Sequence, residues 1–178
     1  MSVCIVSFSS RKNGNCSQIS NYVGSLFPGS VCYNFSNFHI TACGNCQYQC
    51  FENTEACPYA KDKEHEILEA ITRSQKVIFI VPNYCDYPCS NYFVFNERSL
   101  CYFQNDEKLL NAYMNVPKRF IVISNTNRSN FNSIFAYQTN EERKILFLSS
   151  KKYGKKSTDG DLITSSKMIE EVKSFVLR

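Results

Sequence analysis

The chain has 178 residues, 43% of them hydrophobic, with a net charge of +4 and ten cysteines; that length suits one domain with an ordinary core. No apolar run approaches the roughly 20 residues of a membrane span, and the opening MSVCIVSFSSRKNG lacks the basic head, apolar stretch and small-residue site of a secretory signal, so a reducing, cytoplasmic setting is expected, where clustered cysteines mean metal or redox chemistry more often than staples. The charge is mild and only Lys151, Lys152, Lys155 and Lys156 are grouped, a patch that reads as a solvated loop, so neither nucleic acid nor membrane is expected as a partner.

Val3 to Phe8 (VCIVSF) is a near-continuous apolar run, as expected of a strand covered on both faces. Ser9 to Cys16 (SSRKNGNC) then leads into a predicted helix, Asn15 to Leu26. Hydroxyls, an arginine, two asparagines and a glycine at a strand-to-helix turn are the parts of an anion cradle, in which backbone N–H groups and the helix N-terminus face the anion. The same residues also suit a plain polar turn, with Asn13-Gly14 at positive φ and Asn15 or Ser17 capping the helix. Val31 to Phe35 is a weaker second strand. After it, Cys43, Cys46, Cys50 and Cys57 follow the spacing C-x2-C-x3-C-x6-C. Four soft sulfurs so close in sequence can wrap one zinc ion or one iron-sulfur cluster, and free thiols are the third reading.

Lys63 to Arg73 is the next helix candidate, followed by the strand Lys76 to Val81 (KVIFIV) and the loop Pro82 to Ser90 (PNYCDYPCS). Ser90 to Phe103 and Asp106 to Met114 are predicted helices, Arg119 to Ser124 (RFIVIS) a strand, and Asn127 to Glu142 a poorly marked helix. Lys144 to Leu148 is the fifth strand, SKKYGKKSTDGDLI a loop that serves as a lid or as nothing more than a connection, and Ser165 to Val176 the last helix. Five strands alternating with helices imply a parallel sheet covered on both sides, a three-layer α/β sandwich. Ligands of such sheets bind beyond the carboxyl ends of the strands, where strand order reverses.

The first loop resembles the FMN phosphate loop of flavodoxin-like NAD(P)H-dependent FMN reductases, S-P-R-x-x-G-N-T, here Ser9, Ser10, Arg11, Lys12, Asn13, Gly14, Asn15 and Cys16, with serine in place of the proline and cysteine in place of the threonine. The third-strand loop is similar to that family's P-x-Y-x-x-x-x-S followed by a helix ending in D-R, with Pro82, Tyr84, Ser90 and Arg98 at matching positions and Glu97 for the acid. Cys43 to Cys57 resembles the cysteine insert of the iron-sulfur flavoprotein branch, with one residue more in the middle gap. The resemblance implies a five-stranded sheet of order 2-1-3-4-5 in one flavodoxin-like domain, with the insert at about residues 40–60. It implies FMN held by Ser9, Arg11, Asn13, Asn15, Cys16, Ser17, Pro82, Asn83, Tyr84, Cys85, Asp86, Ser124, Asn125 and Thr126, with Tyr84 or Tyr87 against the ring. A [4Fe-4S] cluster, or zinc as the alternative, would fall to Cys43, Cys46, Cys50 and Cys57.

The expected activity is electron transfer from NAD(P)H or a reduced carrier to an acceptor, in a homodimer or homotetramer. A non-enzymatic electron carrier is the alternative, though carrier flavodoxins are acidic and this chain is basic; a metal-bearing sensor or scaffold is the third. Cys85 and Cys89 lie in the ring loop, where a flavin-linked disulfide is conceivable, while Cys4, Cys32 and Cys101 are expected to pack as small hydrophobes. His39 and His65 read as isolated, structural or solvated residues.

Overall fold

Strands β1 (Val3–Ser7), β3 (Lys76–Tyr84) and β5 (Lys118–Ser124) carry side chains buried on both faces over most of their length, because helices cover the sheet front and back. The computed structural model describes residues 2–44, 46–126, 134–135, 138–139 and 141–178, for Leu100 and Glu142 the backbone alone. Its parallel sheet runs β2-β1-β3-β5-β6, with β2 at Val31–Asn34 and β6 at Ile145–Ser149. That is the expected order, with one addition. β3 continues past Val81 to Tyr84 and turns back into a two-residue strand, β4 (Tyr87–Pro88), paired antiparallel to it.

Alternation along the strands sorts the core into two layers. Val3, Ile5, Ile78, Ile80, Ile121 and Ile123 face α1 (Asn15–Leu26) and α5 (Ser166–Leu177). Cys4, Val6, Val77, Phe79, Val81, Phe120 and Val122 face α2 (Lys63–Thr72), α3 (Ser90–Phe103) and α4 (Glu107–Asn115). This second layer is aromatic: Phe8 meets Phe35, Phe79, Tyr92 and Phe95 at centroid distances of 5.0, 5.6, 5.3 and 5.5 Å. The aromatic stretch of α3 is thus partly core, through Tyr92, Phe95 and Phe103, while Phe93 stays exposed.

Side chains cap three of the helices: Asp62 accepts from the Glu64 N–H, Asp106 from Leu109 and Ser165 from Met168. α1 has Gly14 at its N-cap, with φ −82°, and no side-chain cap. The plain-turn reading therefore fails in both its parts, since Asn13 and Gly14 are not at positive φ and neither Asn15 nor Ser17 caps the helix. A Cβ at Gly14 would stand 3.1 Å from the Cβ of Arg11, so glycine serves close approach here. The helix expected over Asn127 to Glu142 falls largely outside the described residues, within which Ile134 and Phe135 are helical. No helix among the described residues is long and apolar enough to cross a membrane.

Candidate cofactor cleft

At the carboxyl ends of β1, β3 and β5 a cleft is lined by Ser9, Arg11, Gly14, Asn15, Cys16, Pro82, Asn83, Tyr84, Ile123, Ser157 and Thr158. Seven of the predicted cofactor residues meet there: Ser9, Arg11, Asn15, Cys16, Pro82, Asn83 and Tyr84. The first turn of α1 points into this region without a capping side chain or an acidic residue, so its N–H groups and the positive end of the helix dipole are available to an anion. Ser9 accepts from the Arg11 N–H at 3.2 Å and Ser17 Oγ donates to the Arg11 carbonyl at 2.9 Å, which fixes the loop's curl. On the far wall burial raises the Tyr84 phenol above the ordinary range. Asn83 donates Nδ2 to Ser124 Oγ at 2.8 Å and leaves Oδ1 buried without a partner among the described residues. An orphaned acceptor costs free energy unless something fills the cleft and donates to it.

Other predicted residues stand one layer back. Asn13 is exposed, its carbonyl taken by Gln18. Ser124 also accepts from the Thr126 N–H, and Thr126 Oγ1 donates to Asp86 Oδ1 at 3.0 Å, bracing the β3–β4 turn against the end of β5. Asn125 Oδ1 accepts from Ser150 Oγ and from the Ser157 N–H, both at 2.7 Å. Cys85 is exposed in the turn. Cys16 and Cys89 are buried and protonated, the Cys16 thiol pushed well up by burial and then by Cys89. The Cys89 thiol donates to the Phe8 carbonyl, and Asn91 Nδ2 donates to that carbonyl and to Ser10 Oγ, tying α3 to the first loop.

The cysteine segment forms a separate pocket that shares no lining residue with the cleft. Cys43, Cys46, Cys50 and Cys57 all line it, together with Cys101, His65, Tyr59 and Arg98. Cys101, expected as a core residue, stands against the Cys50 and Cys43 thiols; burial first, then these neighbours, pushes it up to about 12. His65 is not isolated either, since its ring packs on Tyr102 at 4.5 Å and burial lowers its pKa. Arg98 holds the segment to α3 through an ion pair with Asp62, another with Glu64 at 2.8 Å, and hydrogen bonds to the carbonyls of Thr41 at 3.2 Å and Tyr59 at 3.0 Å. Sulfur is the right donor for a soft metal, yet among the described residues no group of three or more His, Cys, Asp or Glu is gathered to hold one. A [4Fe-4S] or zinc site is therefore not supported among the described residues. Nor is the cavity against the loops of the cleft, because Ser90 to Cys101 spans about 16 Å of helix at 1.5 Å per residue.

Sequence reasoning missed Ser157, Thr158 and Cys101. Arg98 and Cys101 stand three apart on one helix and so share a face, the single signal that could have drawn Cys101 to the insert; nothing local marks the other two.

No protein-family model and no curated protein sequence matches the chain. Solved structures do. FerB, the flavoenzyme NAD(P)H:(acceptor) oxidoreductase of Paracoccus denitrificans, is similar at 14% identity over 98% of this chain and 94% of that one, with a TM-score of 0.56. The Trp repressor binding protein of Bacillus subtilis matches at 13% identity over 99% and 97%, TM-score 0.63. An FMN-dependent NADH-azoreductase of Bacillus anthracis, solved in complex with FMN, matches at 10% identity over 98% and 99%, TM-score 0.56. At these identities the likeness shows the fold, a flavodoxin-like three-layer α/β sandwich.

Proposed function

We propose that this chain is an FMN-dependent oxidoreductase that takes electrons from NAD(P)H or a reduced carrier and passes them to an acceptor. The observation that carries the reading is the cleft itself: an uncapped helix N-terminus, Arg11 and Ser9 at one end, and at the other a buried Asn83 oxygen that no described residue donates to, beside half-exposed Tyr84. A phosphate monoester and a flat heterocycle with polar edges satisfy the two ends together. The fold shared with FerB and with the FMN-bound azoreductase supports it.

Ser9, Arg11, Asn15 and the first-turn N–H groups of α1 would hold the phosphate; Asn83 and Tyr84 would orient the ring, and Ser124, Thr126 and Asp86 keep the ring loop in place. When bound, FMN supplies the electron-transfer chemistry. The described residues lining the cleft include no His, Asp or Glu, so the chain's part is binding, orientation and exclusion of water. Cys16, at the position where the resembled loop has threonine, offers a buried protonated thiol in place of a hydroxyl. The chain works in this reading as one flavodoxin-like domain, its ten free cysteines suit a reducing cytoplasm, and exposed Tyr84, Tyr87 and Phe93 become covered in a homodimer. A metal relay is no part of it.

The test is FMN titration followed by steady-state NADH and NADPH oxidation with a quinone or ferricyanide. Binding with turnover is the expected result; binding without turnover would mean an electron carrier, and no binding removes the proposal.

A further inference from the structure

Two of the residues lining the cleft, Ser157 and Thr158, belong to none of the loops expected there. They follow β6, which lies at the edge of the sheet, three strand positions from β1 and so about 14 Å away at about 4.8 Å per strand. The chain nevertheless crosses to the first loop. Residues 155–160 are long enough, since six extended residues reach about 20 Å. Gly154 at φ 67° and Gly160 at φ 75° turn the chain at the two ends of the crossing. In the middle Asn125 Oδ1 holds the Ser157 N–H at 2.7 Å.

The landing is on the anion cradle. Asn15 Nδ2 donates to the Ser157 carbonyl at 2.9 Å, Arg11 Nη2 to the Thr158 carbonyl at 2.7 Å, and Gln18 Nε2 to the Gly160 carbonyl. Asn15 Oδ1 accepts from the Leu162 N–H at 3.0 Å. The approach is close enough that a Cβ on Gly160 would stand 3.0 Å from the Asn13 carbonyl oxygen. Three backbone carbonyls therefore face the first loop and the start of α1, and one of them fixes the guanidinium of Arg11, the only cation among the described lining residues.

We propose that residues 155–160 form a fourth wall of the phosphate end of the cleft, which admits a terminal phosphate monoester and rejects a dinucleotide. This deepens the FMN reading and rests on it. A monoester ends where the wall stands, with Arg11 already oriented toward it. The second phosphate of FAD would have to pass the Ser157 and Thr158 carbonyls, which are acceptors and repel an anion, and its adenosine would have to displace the strap.

The experiment compares FMN, riboflavin and FAD by fluorescence titration of the wild-type protein and of two variants, Gly160→Val and Gln18→Ala. The wild type is expected to bind FMN at least about tenfold more tightly than FAD and than riboflavin, as for a lost charge-assisted contact. Gly160→Val, which forces the strap off the Asn13 carbonyl, is expected to bring FMN to within about threefold of riboflavin while riboflavin binding is unchanged. Equal affinity for FMN and FAD in the wild type overturns the inference alone. So does a Gly160→Val protein with native circular dichroism and an unchanged FMN-to-riboflavin ratio. If that variant does not fold, the wild-type FMN-to-FAD ratio and Gln18→Ala, which removes the side-chain donor to the Gly160 carbonyl and is expected to lower FMN affinity about threefold, still decide. A wild-type protein that takes up no flavin overturns the FMN reading and the strap with it.

Discussion

Arg98 and Glu64 are buried and Asp62 is half-buried: the side chains are 3%, 1% and 16% exposed. Arg98→Ala leaves Asp62 without its cation and the buried Glu64 carboxyl without its donor, and frees the carbonyls of Thr41 and Tyr59. The expected loss is about 3–5 kcal/mol in urea unfolding, against less than about 1 kcal/mol for Arg73→Ala, whose exposed pair with Glu69 is screened by water. Glu64 adds a pH dependence. Burial pushes its carboxyl up to about 8, over the opposing pull of Arg98. Between its ordinary 4.5 and about 8 the folded chain keeps a proton that the unfolded chain has released, so Glu64 makes stability fall as pH rises through that window. Midpoints of urea unfolding from pH 4.5 to 8.5 should show this decline, and Glu64→Gln should flatten it. The sequence marked Arg98 by its place at the end of a motif, but its work as the anchor of the cysteine segment was not legible, because both acids come from another part of the chain. Arg11, Asn83 and Tyr84 were legible because each lies within a few residues of a strand end.

The β3–β4 hairpin is the element that sequence reading lacked. Its two turn residues, Cys85 and Asp86, sit at φ 53° and 66°, the positive-φ pair of a type I′ turn, where Asn-Gly is the usual signal. With cysteine at the first position there was nothing to read, and a non-glycine residue is held there at some cost. Cys85→Asn is expected to stabilise the protein by about 0.5–1 kcal/mol, a rise of roughly 1–4 °C in Tm by calorimetry; an unchanged or lower Tm would contradict the strain. β1, β3 and β5 were legible as apolar runs because they are covered twice. β2 was weaker, since it is an edge strand with Val31 45% exposed. At α4 the predicted bounds, Asp106 to Met114, fall within one residue of the helix at each end; what the sequence did not show is buried Lys118, which donates to the carbonyls of Tyr113 and, at 3.2 Å, of Val116.

At the scale of the molecule, the fold places three unrelated segments at one cleft and carries a fourth, residues 155–160, across the sheet to close it. Only the first three follow from strand ends. The fourth depends on Asn125 and Asn15 meeting a loop far from them in sequence, which no local pattern shows. Tyr84, Tyr87 and Phe93, exposed at 54%, 52% and 44% on segments that flank the cleft, lead to the expectation of a dimer by sedimentation equilibrium and a monomeric shift on Tyr87→Ser together with Phe93→Ser; a monomer in the wild type would contradict it. The central claim, that the cleft is an FMN site, is tested most directly by titrating FMN with purified protein and following flavin fluorescence. Saturable quenching at one FMN per chain, weakened about 10- to 100-fold by Arg11→Ala, is the predicted result. Fluorescence that stays that of free FMN at protein concentrations of about 100 μM would contradict it.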